Sequence, residues 1–283
     1  MIKANLGFWP LAALGLLGVA QAAPPDKSGF QLFNRVPDSL LRELSPDRPD
    51  KTESPYTVDA GHFQIEMDFA NYTFDSTDGT TVHAWNLAPI NVKVGLLPSV
   101  DAQFIFDGYE NVRTKDSATG AATRQSGAGD FTTRLKINLW GNDGGQTAFA
   151  LLPFVKIPTS TAHLGNNAVE GGIIFPFAVS LPKEFALGLE TGVSFLQNEN
   201  DRDFHAEFIN SVTVGHNLIG QLDGYVEFYS SVSTERGAGW AGSVDAGLCY
   251  AINKNVQLDC GCNCGVTKSA DDFNPFIGLT VRF

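Results

Sequence analysis

Beyond its first 22 residues the sequence has no run of apolar residues long enough to cross a bilayer as a helix, which takes roughly 20. That absence excludes a bundle of spanning helices. Basic residues are also few, with 19 Lys and Arg against 31 Asp and Glu and a net charge of −12. A nucleic-acid partner, which needs a basic face, is therefore not expected. Cysteine occurs only 4 times. Three of the four, Cys260, Cys262 and Cys264, crowd one short stretch, so a disulfide framework is not expected even though export would permit one. No cofactor signature is present. Gly141-Asn-Asp-Gly-Gly145 lacks the Lys-Ser/Thr and the following helix of a phosphate loop, and no haem or dinucleotide motif occurs, so no cofactor is expected. Methionine is scarce, with 2 residues, whereas Phe numbers 21 and Gly 29. Aromatic and β-branched residues suit a pleated surface and glycine weakens helices, so the balance favours strands.

Residues 1–22 have the pattern of a secretory signal. Lys3 gives a positive start, Leu6 to Ala20 an apolar centre, and Ala20-Gln21-Ala22 a small-residue site with cleavage before Ala23. Residues 23–60 form a polar, proline-broken N-terminal segment, expected in the periplasm and with the option of folding into a barrel mouth as a partial plug. Within it, Pro37 to Leu44 has the capping and spacing of two helical turns.

From His62 onward the pattern has a period of two. Phe63, Ile65, Met67 and Phe69 alternate with Gln64, Glu66 and Asp68, and Phe131, Thr133, Leu135, Ile137 and Leu139 alternate with Asp130, Arg134, Lys136 and Asn138. About twelve such runs follow one another, separated in turn by short turns and longer polar stretches. Asn111 to Gly127 is expected to be the longest outward loop. The last run, Pro275 to Phe283, turns Ile277, Leu279, Val281 and Phe283 to one side. A β-sandwich and a barrel both fit alternation alone. Aromatic residues at the ends of the apolar faces, charges along the polar faces and a need to pair the last strand with the first favour an all-β, antiparallel transmembrane β-barrel of about 12 strands over residues 61–283. With an even strand number both ends of the barrel lie on the periplasmic side. The expected location is the outer membrane, with membrane lipid and the barrel-assembly machinery as partners, the latter through a terminal signal at Phe283.

Candidate chemistry follows from the faces. Cys260, Cys262 and Cys264 share the apolar face, where a thiol behaves as a small hydrophobe rather than a metal ligand, so no metal is expected. His205, Glu207 and Ser211 share a polar face. A hydrolase would need its nucleophile beside its base, but Ser211 lies about 20 Å along the strand from His205. No catalytic residue is therefore assigned. The polar faces place Glu66, Asp68, Lys93, Arg134, Lys136, Glu190, Glu207 and Glu227 along the lumen as the expected path of a permeant.

Arg48-Pro-Asp-Lys-Thr-Glu-Ser-Pro-Tyr56, Gly61-His-Phe-Gln-Ile-Glu66, Trp85-Asn-Leu-Ala-Pro89, Leu135-Lys-Ile-Asn-Leu-Trp-Gly-Asn-Asp-Gly-Gly145, Ala168-Val-Glu-Gly-Gly172 and Asn210-Ser-Val-Thr-Val-Gly-His216 carry a resemblance that covers nearly the whole exported chain. With these motifs the sequence resembles the transporter family described as outer-membrane proteins of a phenol-degradation meta pathway. The resemblance implies an exported barrel of transporter type and supplies no catalytic residues. The expected function is passive passage of small molecules, aromatic or otherwise apolar. The alternatives are a lipid-modifying outer-membrane hydrolase and a non-conducting structural or adhesion barrel.

Overall fold

The computed structural model describes residues 25–283 apart from 163, 199 and 200, so the expected signal and its cleavage site lie outside the described residues. Fifteen strand segments form one sheet: β1 Phe63–Thr77, β2 Thr80–Leu87, β3 Ile90–Leu97, β4 Val100–Phe106, β5 Tyr109–Asp116, β6 Ala122–Ala128, β7 Phe131–Trp140, β8 Thr147–Ile157, β9 Glu170–Ser180, β10 Phe185–Gln197, β11 Phe204–Ile219, β12 Leu222–Ser233, β13 Trp240–Asn253, β14 Val256–Gly265 and β15 Asn274–Arg282. All pairings are antiparallel, and β15 pairs with β1 in the register Gln64 to Arg282, which closes the sheet. Phe63 and Phe283 exchange both backbone hydrogen bonds at this seam, at 3.3 and 2.8 Å.

The fifteen segments make twelve wall strands, because β2 with β3, β4 with β5 and β6 with β7 are each one strand interrupted once. The interruptions at 88–89, 107–108 and 129–130 lie side by side as a crease. Pro89 has no N–H for the ladder, Ala88 takes a positive φ of 55°, and a Cβ at Gly108 would lie 2.0 Å from the Leu87 carbonyl oxygen. Beyond the crease the upper half of β1 pairs with β2, β2 with β5 and β5 with β6, forming a four-stranded flap.

The flap corrects one expectation. Asn111 to Gly127 is not a long loop but most of β5 and β6, joined by a tip at 117–121. A second correction concerns Pro37 to Leu44, which makes one turn and no helix. Its backbone is committed elsewhere, since the Arg42 N–H donates to Asp59 at 2.9 Å. The short turns at 98–99, 141–146, 181–184, 220–221 and 254–255 lie at one end, which is the periplasmic end in barrels of this kind.

Side-chain faces follow the period-two pattern. Phe63, Phe106, Leu139, Phe195, Leu248 and Ile277 are exposed on the outside, whereas Gln64, Glu66, Lys93, Gln103, Lys136 and Asp245 are buried inside. A water-soluble protein inverts this arrangement. A barrel in hydrocarbon needs it, because its solvent outside is apolar.

Candidate functional site

The charged inner face does not enclose an empty pore. Residues 45–59 rise from the periplasmic rim into the lumen, cross it, and return to the rim beside β1. This strap carries charges complementary to the wall it meets. Asp47 accepts from Lys93 on β3 and from Lys136 on β7, and Lys93 also pairs with Glu66 on β1. Glu53 pairs with Arg134 on β7. Across the closing seam, Arg48 reaches Asp68 on β1 and Asp259 on β14, each at 2.6 Å, and the Lys51 ammonium lies 3.3 Å from Asp245 on β13.

Backbone donors complete the strap's attachment. The N–H groups of Lys51 and Thr52 donate to Glu227, each at 2.8 Å, and that of Glu53 donates to Glu190 at 2.6 Å. Thr52 also meets Ser211, hydroxyl to hydroxyl, at 2.7 Å. Two glycines make the close approach feasible. A Cβ on Gly95 would lie 2.0 Å from the Asp59 carbonyl oxygen, and one on Gly278 would lie 2.0 Å from the Arg48 guanidinium.

At the rim a second cluster anchors the strap's base. Lys27 pairs with Asp59 at 2.9 Å and with Asp143 of the β7–β8 turn at 2.6 Å, and Arg42 also reaches Asp143 at 2.9 Å. Arg282 of the closing strand donates to the Arg42 carbonyl at 2.8 Å.

The strap's own titrating groups feel this environment in opposite ways. Burial alone would raise Asp47, but the charges of Lys136 and Lys93 hold it well below the usual carboxylate range. Burial, with the neighbouring Glu227 charge, pushes Asp50 up to about 8. Burial also pushes Glu53 up to about 7 against the pull of Arg134.

Of the lumen residues anticipated from the sequence, Glu66, Asp68, Lys93, Arg134, Lys136, Glu190 and Glu227 all contact the strap or its immediate ion-pair network. Glu207 sits higher on β11. The residues missed were Asp47, Arg48, Lys51, Thr52 and Glu53. Their signal was present as a charge-dense run bounded by Pro46 and Pro55.

Space remains on both sides of the strap. A cavity of about 540 Å³ opens at the rim, lined by Leu41, Leu44, Tyr56, Val58 and Asn142 among others. Toward the loops, cavities of about 400 and 380 Å³ are lined by Lys51, Tyr229 and Asn274 and by Asp107, Glu110 and Lys156 respectively. The inner wall there is not uniformly polar. Leu152, Ile174 and Ile209 form a buried apolar cluster on the inner faces of β8, β9 and β11, flanked by Phe154 and Tyr229.

The hydrolase pair is not assembled. His205 Nδ1 lies 2.9 Å from Asn198 and 3.8 Å from Glu235, whereas Ser211 bonds to Thr52. Cys260 and Cys264 are exposed on the outer face as expected, and Cys262 Sγ is 3.6 Å from Cys264 Sγ. Among the described residues no group of three or more His, Cys, Asp or Glu side chains is arranged to hold a metal ion.

Residues 46–283 match the sequence model of the family described as "Putative MetA-pathway of phenol degradation". No curated protein matches the sequence. Among solved structures the fold is similar to an outer membrane channel from Pseudomonas putida F1, at 12% identity over 85% of this chain and 100% of that chain, with a TM-score of 0.59. A lower likeness, with a TM-score of 0.42, links it to the CymD monoaromatic hydrocarbon channel at 9% identity over 78% of this chain and 88% of that chain.

Proposed function

Because this chain belongs to that phenol-degradation family of β-barrels, we propose that it is an outer-membrane channel for passive passage of small molecules, aromatic or otherwise apolar, with residues 45–59 as a partial plug. The nature of the lumen's occupant carries this proposal. The interior holds a strap attached through ion pairs and backbone-to-carboxylate bonds, with cavities above and below it, beside the packed wall cluster of Leu152, Ile174 and Ile209. Ion pairs and hydrogen bonds in a lumen attach an insert reversibly, because water can replace each partner as the insert leaves.

With the strap withdrawn, Glu66, Asp68, Lys93, Arg134, Lys136, Glu190, Glu207 and Glu227 line the path. Cations on β3 and β7 then oppose carboxylates on β10 to β12, which sets a transverse field across the passage. Phe154 and Tyr229, half-buried against the Leu152, Ile174 and Ile209 cluster, give an aromatic permeant an apolar surface to slide along. A cleaved signal over residues 1–22 delivers the chain to the periplasm, and the Phe283 strand engages the assembly machinery. No catalytic step is part of this function.

Single-channel recording of the folded protein in planar bilayers is the test. Conductance is expected to be low and intermittent for the whole chain and larger for a chain lacking residues 24–60. No conductance from either form would overturn the channel proposal and favour the non-conducting barrel, which the occupied lumen also fits.

A further inference from the structure

The outer face of the flap carries a group of side chains that permeation does not use. Register places Tyr72 opposite Trp85 and Trp85 opposite Asn111, and places His83 opposite Arg113 and Arg113 opposite Arg124. These side chains share the face that continues outward from Phe63, Ile65 and Met67. The bulge between Asp68 and Ala70 resets the alternation, which leaves Asn71 and Thr73 facing the lumen, where Asn274 bonds to both. Lys115, two residues beyond Arg113, is on the outer face as well.

Charge is sorted across this sheet. Every flap cation, Arg113, Lys115 and Arg124, points out. The strand carboxylates Asp75, Glu110 and Asp116 occupy the opposite parity and point in. Elsewhere in the barrel the strand cations Lys93, Arg134, Lys136 and Lys156 face the lumen and pair there with carboxylates. Arg113, Lys115 and Arg124 have no carboxylate within 4.0 Å among the described residues. In a chain with a net charge of −12, three unpaired cations on one outward patch are conspicuous.

Their height fits the membrane. At ~3.3 Å per residue and ~40° of tilt, the climb from Phe63 to Phe74, the residue opposite His83, is roughly 25–28 Å. That equals the ~25 Å apolar band of such barrels. Tyr72 and Trp85, with ring centroids 4.8 Å apart, therefore lie at the depth of the outer aromatic girdle. The cations stand just above it, level with the headgroups of the outer leaflet. A concavity of about 590 Å³ joins the two layers, lined by Tyr72, His83, Trp85, Asn111, Arg113 and Arg124 among others. Asn111 accepts from Arg124 Nε at 3.1 Å, which fixes the orientation of that guanidinium, and the Tyr72 hydroxyl meets His83 Nδ1 at 2.7 Å, which fixes the imidazole beside Arg113.

We infer that this face is a binding site for the phosphorylated headgroup of an outer-leaflet glycolipid. Two guanidinium groups present paired N–H donors to phosphate oxygens, the geometry in which arginine is strongest. Tyr72 and Trp85 contact the sugar and the upper acyl chain, as amphipathic rings do at a membrane interface. The flap thus holds the barrel in register with the outer leaflet through a specific lipid in addition to its apolar band.

The whole folded chain, reconstituted into phosphatidylcholine vesicles with increasing bisphosphorylated lipid A, tests this. Retained lipid is counted by native mass spectrometry after detergent extraction. Binding is expected to weaken about tenfold or more in Arg113→Gln/Arg124→Gln, and to be unchanged in Lys183→Gln/Lys254→Gln, whose charges sit on periplasmic turns. Wild-type protein should bind dephosphorylated lipid A at least about tenfold more weakly, and millimolar inorganic phosphate should not displace the lipid. Equal binding of the dephosphorylated form would overturn the assignment whether or not the arginine variant folds. Unaltered binding by a folded arginine variant would also overturn it, as would displacement by free phosphate, which would mark a site for the anion alone.

Discussion

Replacing Asp47 with Asn should open the barrel. Lys136 is 0% exposed and Lys93 1%, and Asp47 is the one carboxylate within 4.0 Å of the Lys136 ammonium among the described residues. Lys93 retains Glu66. The substitution therefore removes the ion-pair partner of buried Lys136 for as long as the strap is docked and leaves it only Asp101, opposite on the neighbouring strand β4 and beyond ion-pair distance. Removing one partner of a buried pair costs about 3–5 kcal/mol. The penalty falls on the docked state alone, because withdrawal floods the lumen and rehydrates Lys136. The docked-to-released ratio should then fall by roughly two to three and a half powers of ten, toward the lower figure if the Asn oxygen still accepts one hydrogen bond. The assay is the fraction of time spent open in planar-bilayer recordings, with heat-modifiable migration of unboiled samples confirming that the variant is folded. Asp47→Asn/Lys136→Met removes the orphaned charge and should restore most of the closure, as coupled neighbours do. An open fraction equal to wild type, or a double variant more open than the single one, would refute the reasoning.

Three further outcomes are expected. Because burial raises Asp50 to about 8 and Glu53 to about 7, both bind their protons more tightly when docked than when free. Their contribution to docking is then complete only below the ordinary carboxyl values and is lost as pH rises through 7 to 8. Open fraction should therefore increase between about pH 5 and about pH 9, and a flat profile would show that neither group titrates within the docked strap. Deleting Phe283 removes both seam hydrogen bonds with Phe63 and the contact of its carbonyl with His62 at 2.9 Å. The yield of folded, inserted protein should fall several-fold, and a normal yield would count against Phe283 as an assembly signal. In intact vesicles a lipophilic maleimide should label Cys260 and Cys264 on the outer face faster than Cys249 in the lumen; faster labelling of Cys249 would mean that the assigned faces are wrong.

The wall was legible because lipid and water stand on opposite sides of it. Phe131 to Leu139 alternates cleanly with Arg134, Lys136 and Asn138 since each face has one solvent, and the same contrast gave the twelve-strand count. The contrast vanishes above the membrane. In β5 and β6 both faces are wet, so Thr114-Lys115-Asp116 and Ala122-Thr123-Arg124 have the composition of a loop although they hydrogen-bond as strands. The lumen charges were also legible, each from its parity on a strand. Their partners were not, because Asp47 meets Lys136 and Arg48 meets Asp259 across 89 and 211 residues of chain, and no local pattern encodes a contact of that span. Proline at 46, 49 and 55 marked the strap as irregular, and only the assembled wall gives it a path.

Both limbs of the strap leave the lumen at the same periplasmic rim, the first through Arg42 and the second through Asp59 into β1. It is a loop pushed in from one end, so it can enter and leave while every wall hydrogen bond stays in place. In effect it is a ligand tied to its own receptor. A short flexible tether keeps such a ligand at an effective concentration on the order of millimolar, so under the proposed plug role even modest intrinsic affinity suffices to hold the passage closed. A free peptide spanning residues 45–59, added to a barrel that lacks them, should accordingly need comparable concentrations to shut it.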